Sequence, residues 1–187
     1  LGIGHPDPYV ALPMGIPRLI SALAEETGAE MEIHTHNDFG MATAVTMAAL
    51  EYGCKRANAA FAGLGERTGN ASLEQVLLNY IRVYGDPGFN LEAVGEMAQL
   101  IDQAVVHLPA KLPVIGDVFT TQAGIHQSGV ARSENAEGGH IYLPYEPELV
   151  GNPTAGTYSR IGALSGMDGI VAILNAEAEK AQDDRRF

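Results

Sequence analysis

Ile33-His34-Thr35-His36-Asn37-Asp38-Phe39-Gly40 is the stretch on which the reading of this chain turns. Side chains alternate along a strand, so imidazoles at i and i+2 share one face. Glu30-Met31-Glu32-Ile33 reads as a short strand running into the pair, behind the helix stop Gly28. Asn37 to Gly40 then turns the chain toward a new helix. Two neutral nitrogen donors therefore stand at the C-terminal end of a strand, where β/α proteins keep their chemistry. Such a pair suits a divalent metal. The alternative is one core histidine and one surface histidine.

The second anchor is Phe61-Ala62-Gly63-Leu64-Gly65-Glu66-Arg67-Thr68-Gly69-Asn70. Ala57 to Phe61 reads as a strand of small residues, and Ser72 to Val83 as the helix that follows the turn. The glycine spacing, G-x-G-x-x-x-G, is not the dinucleotide fingerprint. A turn of this kind cradles a phosphate or allows tight packing. Glu66-Arg67, read as an ion pair, and the Asn70 amide point to a polar site.

Taken together, H-x-H-N-D-x-G and G-x-G-E-R-x-G-N resemble the DRE-TIM metallolyases. More narrowly, they resemble the Claisen-condensing branch: isopropylmalate synthase, homocitrate synthase and Re-type citrate synthase. The resemblance implies an α/β chain holding the C-terminal part of a TIM (β/α)8 barrel, its last two strand–helix units, followed by a mostly helical C-terminal subdomain. It assigns three ligands of a divalent metal: His34 and His36 through nitrogen, and Asn70 through its amide oxygen. Mg, Mn and Zn all remain open. The family's fourth ligand is an Asp on its first strand, and the chain has no counterpart. Leu1-Gly2-Ile3-Gly4 resembles the loop after the sixth strand, so the chain reads as the C-terminal portion of a longer enzyme.

Other features agree. Met14 to Thr27 has apolar residues at helical spacing, with Gly28 as its stop. Met41 to Tyr52 reads as an Ala- and Met-rich helix. Gly85-Asp86-Pro87-Gly88 is the clearest break, dividing residues 1–86, the barrel part, from residues 87–187, the subdomain. Leu91 to Val106 reads as a helix capped by Asn90, and the tail from Ala176 as a frayed helix.

The formal net charge of −12 weighs against nucleic acid as a partner. Although 46% of the residues are hydrophobic, no run approaches a membrane span. The single Cys54 excludes an intramolecular disulfide and fits a reducing, cytoplasmic setting. Cys54 itself, behind Gly53, reads as structural.

Beyond the break, Phe119-Thr120-Thr121-Gln122-Ala123-Gly124-Ile125-His126-Gln127-Ser128-Gly129 sets a histidine among polar residues and glycines. On composition alone a turn with a surface His and a functional His stand equally. The condensing family has a similar F-x-x-x-x-G-x-H-x-x-G stretch, and the resemblance makes His126 a catalytic residue acting in the partner subunit of a homodimer. Ile141-Tyr142-Leu143-Pro144 to Gly151 resembles the family's Y-x-P-x-x-P-x-x-V-G stretch, which makes Tyr142 an assisting residue. HMG-CoA lyases share the barrel without this subdomain. Gly151-Asn152 departs from the Gly-Arg common in the family.

The implied activity is a metal-assisted Claisen condensation of acetyl-CoA with a 2-oxo acid whose identity the motifs leave open. Asp38 and Glu66 read as residues that orient ligands or bond Arg67. His5, His107 and His140 read as structural. Two alternatives stand beside this reading: an HMG-CoA lyase-like C–C lyase, and a non-catalytic dimerisation fragment.

Overall fold

Pro13 opens a 3-10 turn (Pro13–Gly15) that runs directly into helix α1 (Ile16–Thr27), with Pro17 in its first turn. Proline is tolerated there because the first N–H groups of a helix have no intrahelical partner. Gly28 ends α1 in the left-handed conformation, its N–H bonded to Ala24 O. The structure is a computed structural model that describes residues 12–109, 111–118, 120–133, 143, 145–152, 161–163 and 165–183. The chain divides into two compact units, residues 1–89 and 90–187.

The first unit continues with strand β1 (Glu32–His34), helix α2 (Ala42–Glu51), strand β2 (Arg56–Asn58) and helix α3 (Leu73–Tyr84). β1 and β2 pair in parallel, Glu32 opposite Arg56, Ile33 opposite Ala57 and His34 opposite Asn58. Parallel strands need a crossover, and α2 supplies it. The architecture is α/β.

The period of two decides which face is covered. Ile33 packs with Ile16, Ile20, Val45, Ala49 and Cys54 in the main core cluster. Burying Ile16 and Ile20 stabilises the fold by roughly 1.5–3 kcal/mol each. A second cluster, Ala42, Ala71 and Val76, joins α2 to α3. Small residues on α2 let both neighbouring helices approach closely, and Ala49 and Thr46 have no exposed surface. Tyr84 O–H donates to Glu51 Oε2, tying the C-terminal ends of α3 and α2. Glu32, His34, Arg56 and Asn58 stand exposed on the other face of the sheet. There Arg56 reaches Glu30 at 3.3 Å and Asn58 Nδ2 donates to Glu32 Oε1 at 3.4 Å.

The second unit contains α4 (Ala93–Ala104), α5 (Gly124–Ser133), a 3-10 turn (Pro147–Val150) and α6 (Met167–Asp183). α5 packs on α6, where Gln127 Nε2 donates to Ser165 Oγ at 3.3 Å just before α6. Asn152 Nδ2 donates to both Val114 O and Gly116 O at 3.1 Å.

Several boundaries differ from expectation. β2 ends at Asn58, and Phe61 belongs to a 3-10 turn (Phe61–Gly63) rather than to the strand. α4 starts after Glu92, so Asn90 is not its cap. The stretch read as a helix from Ala176 is helical as far as Asp183, as the second half of α6. The polar segment around His126 is helical, because neither Gly124 nor Gly129 interrupts α5.

Candidate metal centre and the loops that build it

β1 stops at His34 because the chain is drawn aside by α2. The Thr35 hydroxyl lies 3.2 Å from Ala42 O and 3.0 Å from Thr46 Oγ1. Asn37 Oδ1 accepts the Ala42 N–H at 3.1 Å, satisfying a donor that the helix start leaves free. His36 is thereby off the strand. It forms an isolated antiparallel bridge with Asn70, and Asn37 N–H donates to Gly69 O at 2.9 Å. The loop after β1 and the loop after β2 thus run side by side.

The imidazoles of His34 and His36 meet edge to face, with ring centroids 5.0 Å apart at 89°. His34 Nδ1 lies 3.3 Å from Asn58 Oδ1. Because Asn58 Nδ2 donates to Glu32, its oxygen faces the ring. The contact is then a hydrogen bond only when His34 Nδ1 carries the proton, which leaves the Nε2 lone pair free for a ligand.

Among the described residues, His36 Nδ1 and Asn70 Oδ1 are both buried without a hydrogen-bond partner. Asn70 Nδ2 donates to Leu64 O at 3.1 Å, so the amide is anchored by its nitrogen and its oxygen is left over. A buried polar atom without a partner costs about 1–3 kcal/mol. Two of them on bridged residues, beside a second imidazole, form a donor set of two nitrogens and one amide oxygen that fits a divalent cation. Among the described residues no group of three His, Cys, Asp or Glu could hold a metal, so this donor set depends on the Asn70 amide.

The glycines of the loop are required by close approach. A Cβ on Gly65 would stand 2.5 Å from Asn70 Nδ2, so the Asn70 amide occupies the space that a side chain would take. Gly69 has φ +84°, and its Cβ would lie 2.2 Å from Gly63 O.

Arg67 pairs with Asp38 and not with its neighbour Glu66, since adjacent residues in a turn do not face each other. Glu66 is exposed, and its carbonyl accepts the Gly69 N–H at 3.1 Å. Cys54 is buried, and desolvation pushes its thiol up, as befits a packing residue.

His126 lies in the first turn of α5, in the second unit, and is half-buried. Tyr142, His5 and His140 fall outside the described residues. His107 is no core residue: its side chain is 94% exposed, 3.6 Å from Asp102.

Three features escaped the sequence reading. Asn58 faces His34 because the register places it there, and strand alternation alone does not reveal register. Glu74 looks like an ordinary first-turn acid, yet it is 1% exposed and burial raises its pKa against hydrogen bonds from Ala62, from Ser72 and from its own N–H. Tyr145 is pushed up to about 12 by burial.

The HMGL-like family model matches residues 8–101, and the chain belongs to that family. The chain is 36% identical to a putative (R)-citramalate synthase of Methanopyrus kandleri, over 80% of this chain and 30% of that protein. It is 37% identical to homocitrate synthase 1 of Nostoc, over 80% of this chain and 38% of that protein. It is 30% identical to a citrate (Re)-synthase of Clostridium kluyveri, over 99% of this chain and 41% of that protein. The chain therefore spans only 30–41% of these relatives' length.

Proposed function

We propose that the whole protein condenses acetyl-CoA with a small 2-oxo acid, and that this chain supplies the last two strand–helix units of its TIM barrel and a helical C-terminal subdomain. The observation that carries this is the pair of orphaned acceptors, His36 Nδ1 and Asn70 Oδ1, on bridged loops in a chain whose relatives are synthases. His34, His36 and Asn70 would hold a divalent metal, Mg, Mn or Zn. A bound divalent cation supplies a Lewis acid for the oxo acid's carbonyl.

The chain's own residues do the rest. Asn58 holds His34 in the tautomer that presents Nε2. Leu64 O anchors the Asn70 amide. His126 takes a methyl proton from acetyl-CoA, with Tyr142 assisting, so that the methyl carbon attacks the oxo carbon; a new C–C bond forms as the carbonyl π bond opens to an alkoxide, which takes up a proton. Water then cleaves the thioester and the CoA thiol leaves. In this reading the enzyme is a cytoplasmic homodimer in which His126 serves the partner's site. Among the described residues no helix is long and apolar enough to cross a membrane.

The test is thiol release from acetyl-CoA by the complete protein, with pyruvate, oxaloacetate, 2-oxoisovalerate and 2-oxoglutarate supplied in turn. Release with one of them, lost together with bound metal in His36→Ala, supports the proposal. Cleavage of a 3-hydroxyacyl-CoA with no condensation gives the site to a lyase. Dimerisation with neither activity, and no metal bound, leaves a docking module.

A further inference from the structure

Glu74 is the most buried carboxylate among the described residues, yet it stands in the first turn of α3, where an acid ordinarily faces water. Its side chain turns back to the 3-10 turn after β2, and Oε2 accepts the Ala62 N–H at 2.9 Å. Ala62 adopts the left-handed conformation, φ 54° and ψ 16°, which residues other than glycine, asparagine and aspartate rarely occupy. Something must hold it there, and the bond to Glu74 does so. The next residue, Gly63, offers its carbonyl to Asn70 N–H at 2.9 Å, and Leu64 offers its own to Asn70 Nδ2 at 3.1 Å. Three consecutive residues, Ala62, Gly63 and Leu64, thus connect the Glu74 carboxyl to both ends of Asn70.

We propose that Glu74 is a positioning residue: its buried carboxyl holds the left-handed turn at Ala62 and, through Gly63 and Leu64, sets the Asn70 amide oxygen of the candidate metal centre. The proposal rests on the reading of His34, His36 and Asn70 as ligands. It extends that reading to a residue that touches neither metal nor substrate.

Two readouts on the complete protein test it: Mn2+ affinity by calorimetry, and amide hydrogen exchange. Glu74→Gln keeps an acceptor for Ala62 N–H and should bind Mn2+ within about twofold of wild type. Glu74→Met keeps the volume and loses the acceptor; it should bind at least about tenfold more weakly, the usual effect of removing a ligand's support. Exchange at the Ala62 and Asn70 amides should quicken in Glu74→Met and stay slow along β1. Adding Ala62→Gly, which adopts a positive φ without strain, should recover part of the Mn2+ affinity. A role confined to core packing would not respond to that change. Exchange separates the two ways of failing. Wild type that ignores Mn2+, but whose Asn70 amide loses protection in Glu74→Met, overturns the ligand reading and keeps Glu74 as the residue that holds Asn70. A folded Glu74→Met with wild-type protection at Asn70 overturns the proposal. A Glu74→Met that stays unfolded even with Ala62→Gly assigns Glu74 to the core alone, and also overturns it.

Discussion

The Arg67 guanidinium is paired with the Asp38 carboxylate, joining the turn after β1 to the loop after β2 just beside the bridge between His36 and Asn70. Both side chains are about half exposed, at 56% and 42%. Arg67 pays for the contact with a left-handed backbone, φ 57°.

Asp38→Ala should therefore cost no more than about 1 kcal/mol of unfolding free energy, since exposed ion pairs are weak. Arg67→Gly should come out close to neutral, because glycine removes roughly 1 kcal/mol of left-handed strain as the pair is lost. Urea denaturation of both variants checks this. An Arg67→Gly variant clearly less stable than Asp38→Ala would show that the ion pair does more than join the loops.

Gly65→Ala and Gly69→Ala should fail differently. The Cβ at position 65 meets the end of a movable side chain. The fold should survive with the Asn70 amide displaced, and divalent affinity should fall about tenfold or more. The Cβ at position 69 meets the Gly63 carbonyl at a positive φ, and destabilisation of about 1–3 kcal/mol is expected. Calorimetric metal titration and thermal melts distinguish the two outcomes.

Asn152 carries two hydrogen bonds to the Val114–Gly116 turn, and Val114 is held at φ 74°, unfavourable for a β-branched residue. Asn152→Ala should lower stability by about 1–3 kcal/mol, since Val114 O loses the Asn152 amide while Gly116 O keeps the Val118 N–H. Denaturant midpoints measure it.

The folded pKa of Glu74 is raised above the ordinary carboxylate value near 4.5 by burial. Folding therefore favours the protonated form. The contribution is fully present below the unfolded value and is lost as pH rises through the folded one. Wild type should lose stability relative to Glu74→Gln as pH rises from 4.5, and the difference should level off once the folded carboxyl has ionised. A pH-independent difference between the two proteins would mean that the carboxyl titrates normally.

Under the proposed condensing activity, His126→Ala in the complete protein should lower kcat about a hundredfold or more with metal content unchanged, the range for a lost acid–base group. Mixing it with His36→Ala should restore part of the activity if His126 serves the partner's site. Subunit exchange without any recovery would place both functions in one chain, and normal turnover in the single variant would remove His126 from the chemistry.

Much of the first unit was legible in residue order, because its signals are local. The α1 periodicity, the Gly28 stop, the small residues of α2 and the H-x-H pair depend on neighbours within a few positions. Residue order offers both Glu66 and Asp38 as partners of Arg67, and it does not choose between them, because Asp38 is distant in sequence and is brought near only when the two loops meet.

The sequence by itself determined which chemical groups were available: two imidazoles at i and i+2, an amide after a Gly-rich turn, and a family motif covering both. Composition and spacing are sufficient for that, since residue type and strand alternation are local properties. Only the tertiary structure decided which of their atoms lack partners. The parallel register sets Asn58 against His34, and the bridge leaves His36 Nδ1 and Asn70 Oδ1 buried with no partner among the described residues. Burial likewise turned Glu74 from a plain first-turn acid into the support of the loop. Hydrogen-bond satisfaction and desolvation depend on every group packed around an atom, and residue order does not state which groups those are.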